Sequence, residues 1–233
     1  SSGTYVTGLA AKNAATELRE KICAKAAQMW DVDAADVVFD GQYVRLSDER
    51  AAREQNRYLT LRDFANLCVK NIAGGDALTS HASACLPVSP PPFMAGIAEV
   101  EVDKATGKVT VVDYAAAVDC GTVINEALAR VQAEGGIAQG IGHALYEIVE
   151  HDERGRLRTG NFMSYKLPTR LDIGSIRVAF EPSYEPTGPF GAKSIGEVVI
   201  NTPLAAVASA VAHATGHQVR SLPITPEKAL LGE

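Results

Sequence analysis

No two of the four cysteines, Cys23, Cys68, Cys85 and Cys120, stand close enough for a C-x-x-C pair. That excludes an iron–sulfur cluster or a zinc site held by this chain's own thiols. Scattered, unpaired cysteines suit a reducing cytoplasm, where they pack as small buried apolar groups. No apolar run approaches the ~20 residues of a bilayer-crossing helix. The start, Ser1-Ser2-Gly3-Thr4, has neither the basic residues nor the apolar centre of a secretion signal. Lys and Arg number 22 against 28 Asp and Glu, and the cations are scattered, so there is no basic footprint for nucleic acid. G-x-S-x-G is missing, and so is a G-x-G-x-x-G that follows a strand. His213 and His217 have the i,i+4 spacing of zinc ligands on a helix, but Ala214 stands where the general-base glutamate of H-E-x-x-H would be. No Cys or His cluster supports them, so the chain is expected to ligate no metal itself.

What is present reads as an α+β chain, with mixed sheets and hairpins against packed helices. Leu18, Ile22, Ala26 and Met29 recur at helical spacing in an Ala-rich stretch, predicting a helix from about Gly8 to Trp30. Val37–Phe39 and Tyr43–Leu46 read as a hairpin turning at Gly41. Thr60, with Asp63 three residues on, caps a further helix through Phe64, Leu67 and Val69. Residues 73–93 read as irregular, with Gly74-Gly75 and the Pro87 to Pro92 arm. A second hairpin is expected from Gly96 to Val102 and Val109 to Val118, turning at Lys104 to Gly107. Asn125 should cap a helix reaching Gln139. Strands are expected at His143 to Val149 and Ile176 to Phe180, and a last helix from about Thr202 to Ala214 buries Leu204, Val207 and Val211. No repeat of strand, crossover helix and strand is evident, which argues against a doubly wound parallel sheet. The whole of 1–233 reads as one functional region, with sub-lobes 1–86 and 94–233 and a Pro-rich connection at 87–93.

Two stretches carry chemistry. Gly188-Pro-Phe-Gly-Ala-Lys-Ser-Ile-Gly-Glu197 is a glycine loop ending in one carboxylate beside Val198-Val199-Ile200. Glycine lets backbone N–H groups approach a ligand, and apolar neighbours can tune a carboxylate for proton transfer. The bland alternative is a loop with a surface glutamate. Gln132-Ala-Glu-Gly-Gly-Ile-Ala-Gln-Gly-Ile-Gly-His-Ala-Leu-Tyr-Glu147 concentrates glycine where a helix would disfavour it, by about 1 kcal/mol each relative to Ala. That implies close packing or close approach to a ligand, and the amides of Gln132 and Gln139 can donate to and accept from a heterocycle edge.

Together these residues resemble the xanthine dehydrogenase and aldehyde oxidoreductase family of molybdenum hydroxylases. Ser1 to Gly8 leading into an Ala-rich helix is similar to a segment that passes the molybdenum centre. Val118-Asp119-Cys120-Gly121 with Asn125, then Gln132-x-Glu134-Gly135, resembles a strand-to-helix segment of the family. Gly160-x-x-x-x-Tyr165-Lys166-Leu167-Pro168, Gly191-Ala192-Lys193-Ser194-Ile195-Gly196-Glu197 and Pro223-Ile224-Thr225-Pro226 follow in family order. The Gly188-Pro-Phe-Gly-Ala-Lys form resembles the nicotinate dehydrogenase, purine hydroxylase and 4-hydroxybenzoyl-coenzyme A reductase branches alike.

The resemblance implies the C-terminal part of a molybdopterin-binding subunit. It implies that Glu197 is the base of a hydroxylation at a C–H of an N-heterocycle, purine or aldehyde-like substrate, with water as the oxygen source. Gln132 would bond the pterin edge, and Ser1, Ser2, Gly3, Thr4 and Gly196 would line the cofactor, molybdopterin in its simple or cytosine dinucleotide form. The family's N-terminal lobe, the Gly-Gly-Phe-Gly-type loop and the substrate-gripping Arg or Phe are missing here. An N-terminal molybdopterin lobe or subunit, a 2Fe-2S subunit and an FAD subunit are therefore the implied partners, in a cytoplasmic hetero-oligomer. The alternative is a non-catalytic scaffolding or assembly subunit of such a complex.

Overall fold

The computed structural model describes residues 2–70, 77–85 and 88–232; Ser1, Gly74-Gly75 and Pro87 lie outside them. The chain folds as two compact units, one of residues 6–86 and one of residues 1–5 with 87–233.

In the first unit, α1 (Gly8–Trp30) has the bounds that its periodicity predicts, and it ends on Asp31 in the left-handed conformation. β1 (Val37–Phe39) and β2 (Tyr43–Leu46) pair antiparallel around Gly41, whose φ of +100° suits glycine. Two elements have no counterpart in the sequence reading. They are α2 (Glu49–Glu54), capped by the Asp48 side chain, and β3 (Tyr58–Thr60), which completes the sheet against β2. Both are too short for a periodicity to show. Thr60 caps α3 (Leu61–Val69) by accepting from the Asp63 N–H, and Phe64 and Cys68 are the buried residues on this helix, while Val69 is exposed. Ile22, Ala26, Val37 and Val44 close the core with them.

In the second unit, β4 (Phe93–Val102) starts three residues before the expected Gly96 and pairs antiparallel with β5 (Val109–Asp119). The ladder continues to the Phe93–Asp119 pair because residues 93–95 keep the strand's alternation. Asn125 caps α4 (Glu126–Leu145) by accepting from the Leu128 N–H. This helix overruns the expected end at Gln139, so the strand expected at His143 to Val149 does not form. The cause is packing that overrides propensity. A Cβ on Gly136 would lie 2.4 Å from Val199 Cγ2, and one on Gly140 would lie 2.8 Å from Pro203 Cβ. The glycines let α4 lie close against α6 (Val198–Thr215), and burial of Ile137 and Ile141 stabilises the contact by roughly 1.5–3 kcal/mol each.

After the single-turn α5 (Arg170–Ile173), β6 (Ser175–Phe180) pairs parallel with β5. One strand–helix–strand crossover is therefore present, which the sequence reading did not anticipate. α6 starts a turn before Thr202, with Pro203 inside it and Val207 and Val211 buried, whereas Leu204 is only half-buried. By length and composition alone its 18 residues match a membrane-crossing helix, but Asn201, Thr202 and His213 interrupt it, and it is not the continuous apolar run of ~20 residues whose absence the sequence shows. Here it is the core helix that packs on α4 and β4. α6 ends at Thr215, so His217 lies beyond it and the i,i+4 pair with His213 is not a helix face. No cluster of potential metal ligands occurs among the described residues. α7 (Pro226–Leu231) closes the unit, capped by Thr225. Of the cysteines, Cys68 and Cys120 are buried, Cys23 is half-buried and Cys85 is exposed, which corrects the uniform burial expected.

Candidate active site

β5 ends on Asp119, and the chain from there to the Asn125 cap forms one wall of the site. The opposite wall is the glycine loop. Gly121 and Ala192 form a bridge, the Thr122 N–H donates to the Gly191 carbonyl at 2.8 Å, and the Lys193 N–H donates to the Cys120 carbonyl at 2.8 Å. Gly191 is required here. Its φ is +86°, and a Cβ would lie 2.3 Å from the Tyr184 ring. Phe190 beside it holds a left-handed φ of 54°, unusual for an aromatic residue.

Side chains lock the same junction. The Lys193 ammonium donates to Asp119 Oδ2 at 2.7 Å, and its side chain is only 9% exposed. The Gly121 N–H donates to Asp119 Oδ1 at 3.0 Å, and the Ser183 hydroxyl donates to it too. Burial works to raise the Asp119 carboxyl. The Lys193 ammonium, the Ser183 hydroxyl and the Gly121 N–H outweigh it and hold the group below the usual aspartate value. A carboxyl depressed on folding contributes stability above its unfolded value and loses it as pH falls through the folded value. Melting temperature should therefore drop below about pH 4, and Asp119→Asn should flatten that drop. Melting curves from pH 3 to 6 check this, and equal slopes for both proteins would refute it.

Tyr5 brings the N-terminal residues to the loop. It is 4% exposed, and its hydroxyl shares a 2.5 Å hydrogen bond with Thr187 Oγ1. Gly3–Thr7 is a single π-turn, a form frequent at functional sites.

Between the walls lies a cleft of about 300 Å³, lined by Thr4, Cys120, Asn125, Gln132, Lys193 and Ile195 among others. Two expected site residues, Thr4 and Gln132, thus share one cavity. Ser2, Gly3, Gly196 and Glu197 are not among its lining residues, but each lies within two positions in sequence of one that is. Ser1 lies outside the described residues. Gln132, Gly135 and Gln139 are exposed along one face of α4, and a Cβ on Gly3 or Gly135 would enter open space. Packing therefore does not demand glycine at Gly3 or Gly135, in contrast to Gly136. Glu197 stands at the N-cap position of α6, where the helix dipole favours a carboxylate. It is exposed, so this chain's own apolar residues do not supply the desolvation that the sequence suggested.

Residue type and spacing alone assign no role to Lys193, Asp119 or Thr122. The available signal was Lys193, the single cation in a loop of small residues.

The family described as molybdopterin cofactor-binding domain matches residues 1–174. The chain is 36% identical over 99% of its length to the probable hypoxanthine oxidase XdhD of Escherichia coli (strain K12), covering 23% of that protein. It is 33% identical over 97% of its length to the putative xanthine dehydrogenase molybdenum-binding subunit XdhA of the same organism, covering 30%. The chain thus spans less than a third of these relatives. The structure of quinoline 2-oxidoreductase from Pseudomonas putida 86 matches with a TM-score of 0.72 at 31% identity, over 92% of this chain and 28% of that one. Reconstituted CO dehydrogenase from Oligotropha carboxidovorans matches at a TM-score of 0.77 and 23% identity, over 93% and 27%, which shows a shared fold.

Proposed function

We propose, from the premise that this chain belongs to the molybdopterin cofactor-binding domain family, that it forms one wall of a molybdenum hydroxylase active site and supplies the catalytic carboxylate. The supporting observation is the single cleft lined by Thr4, Asn125, Gln132, Lys193 and Ile195, with Glu197 two residues past Ile195. Its chemistry fits a pterin. Amide and hydroxyl groups can both donate and accept, and the exposed glycines Gly3 and Gly135 leave space that a side chain would fill. Bound molybdopterin would supply two-electron oxidation of a C–H bond with water as the oxygen source.

The remaining work falls to the chain. Gln132 orients the pterin edge through its amide, while Ser1, Ser2, Gly3, Thr4 and Gly196 line the cofactor. Glu197 accepts a proton at its carboxylate as the substrate carbon is oxidised and returns it to water. It stands at the N-cap of α6, where the helix terminus favours the carboxylate form from which a base acts. The substrate class is an N-heterocycle, purine or aldehyde. The cofactor is read as the simple or cytosine dinucleotide form, and electrons leave through 2Fe-2S and FAD subunits of a cytoplasmic complex. The experiment is metal and pterin analysis of the complex purified with this chain. Stoichiometric molybdenum supports the reading, and an intact complex without it refutes it in favour of a scaffold.

Gln132→Ala is expected to lower cofactor retention more than activity per bound molybdenum, because a lost hydrogen bond to a buried heterocycle costs about 1–3 kcal/mol. Molybdenum content after extended dialysis reads this, and full occupancy would count against the role.

Partners are expected from the exposed surface. Phe162, Met163 and Leu171 are 84%, 87% and 91% exposed. Apolar patches beyond a few hundred Å² mark interfaces or aggregation-prone surfaces. The isolated chain should aggregate, and co-expression with a molybdopterin lobe should rescue it. A sharp monomer peak in size-exclusion chromatography with cooperative unfolding would overturn the partner requirement.

A further inference from the structure

The Asp119–Lys193 pair stands where both walls of the cleft begin. From Asp119 the chain runs through Cys120 and Thr122 to the Asn125 cap, and so to Gln132 in the second turn of α4. From Lys193 it runs through Ile195 to Glu197 at the N-cap of α6. Across the gap stand the 2.7 Å ion pair and the Lys193-to-Cys120 and Thr122-to-Gly191 backbone bonds. Lys193 Nζ also reaches the Pro91 carbonyl at 3.4 Å and lies 5.3 Å from the centre of the Phe93 ring. One lysine therefore holds four segments at a single point: the end of β5, the glycine loop, the residues before β4 and β4 itself.

Stability alone is a weak explanation for such a pair. Desolvation of two charges roughly cancels their attraction, and well-packed apolar replacements of both partners are often neutral or stabilising. Here the geometry is fixed by the number of partners: the Lys193 ammonium donates to both Asp119 Oδ2 and the Pro91 carbonyl, and Asp119 also accepts from the Ser183 hydroxyl and the Gly121 N–H. We infer that Asp119 and Lys193 are a positioning pair that fixes the span between Gln132 and Glu197. Lys193 lines the cleft, but its ammonium is engaged by Asp119 and the Pro91 carbonyl, so the pair acts through the two segments it ties. The inference rests on the proposed roles of Gln132 and Glu197.

The test compares Lys193→Met, Asp119→Leu and the double variant in the complex purified with this chain. Four quantities are read: melting temperature, kcat per bound molybdenum, KM, and hydrogen exchange at the Lys193 and Thr122 amides. In the double variant the melting temperature should rise above that of either single variant, because no unpaired charge remains, while staying below wild type because the Ser183 hydroxyl and the Gly121 N–H lose their acceptor. kcat should stay about 10²-fold down with KM little changed, the typical effect of a misplacement of about 1 Å. The Lys193 and Thr122 amides should exchange faster while those of α4 and α6 stay protected. A double variant with wild-type kcat per molybdenum and wild-type exchange at both amides would overturn the inference and leave the pair a purely structural one. If the single variants fail to fold, the double variant alone decides. If Glu197→Gln proves active, the catalytic reading fails separately, and the exchange of the two amides still decides whether the pair holds the walls in register.

Discussion

Glu197→Gln is expected to lower turnover by about 10²- to 10⁴-fold, the usual loss on removing a general base, with assembly and molybdenum content near normal. The amide is nearly isosteric with the carboxylate but accepts no proton at neutral pH. The Glu197 side chain is exposed and stands at the N-cap position of α6, so its charge is not buried in the core. Losing the favourable interaction with the helix terminus at a solvent-exposed position should leave the fold in place. Activity and stability should therefore separate cleanly at this position. The check is kcat per bound molybdenum with the melting temperature of the same preparation. A variant with more than half of wild-type activity would show that Glu197 is not the base.

Gly136→Val is expected to separate α4 from α6 and lower the melting temperature. The added Cβ alone would lie 2.4 Å from Val199 Cγ2 and 3.2 Å from the Val199 carbonyl carbon, and valine adds two more carbons. Overpacking of this kind costs about 1–3 kcal/mol and sometimes more. For a chain of this size that is a fall on the order of 5–10 °C. Gly135→Ala, one residue earlier, is the control. Its Cβ meets nothing within 4 Å, and replacing a helical glycine should stabilise by about 1 kcal/mol. Thermal melts of both variants decide, and equal shifts in the same direction would show that the helix contact does not depend on Gly136.

Local signals were legible in the sequence, and long-range ones were not. α1 was readable to the residue because an Ala-rich run with apolar residues at helical spacing states its own limits. The Thr60 and Asn125 caps were readable because a capping side chain acts within three residues. The end of α4 was misread because Gly140 and Gly142 disfavour helix locally, and only contact with Pro203 on a distant segment outweighs that. The start of α6 was misread because Thr202-Pro203 has the form of a cap followed by a first-turn proline. In the site, Gln132 and Glu197 stood out through the residues around them. The Asp119–Lys193 pair did not, because its members are 74 positions apart and opposite charges carry no mark of their partner.

The parallel pairing of β5 and β6 sets an order of events during folding. A hairpin such as β4–β5 closes with a short turn, but two parallel neighbours need a crossover between them. Here the Asp113–Arg177 contact spans 64 positions and the Asp119–Lys193 contact spans 74. Chain closure over such distances is entropically slow compared with a local turn or helix. β4–β5 and α4 can therefore form early from nearby residues, whereas the glycine loop meets β5 only after the crossover has closed. The cleft is therefore expected late in folding: a nascent chain that ends before Lys193 can hold the β4–β5 hairpin, but it lacks both the glycine-loop wall of the cleft and α6, the helix against which α4 and β4 pack.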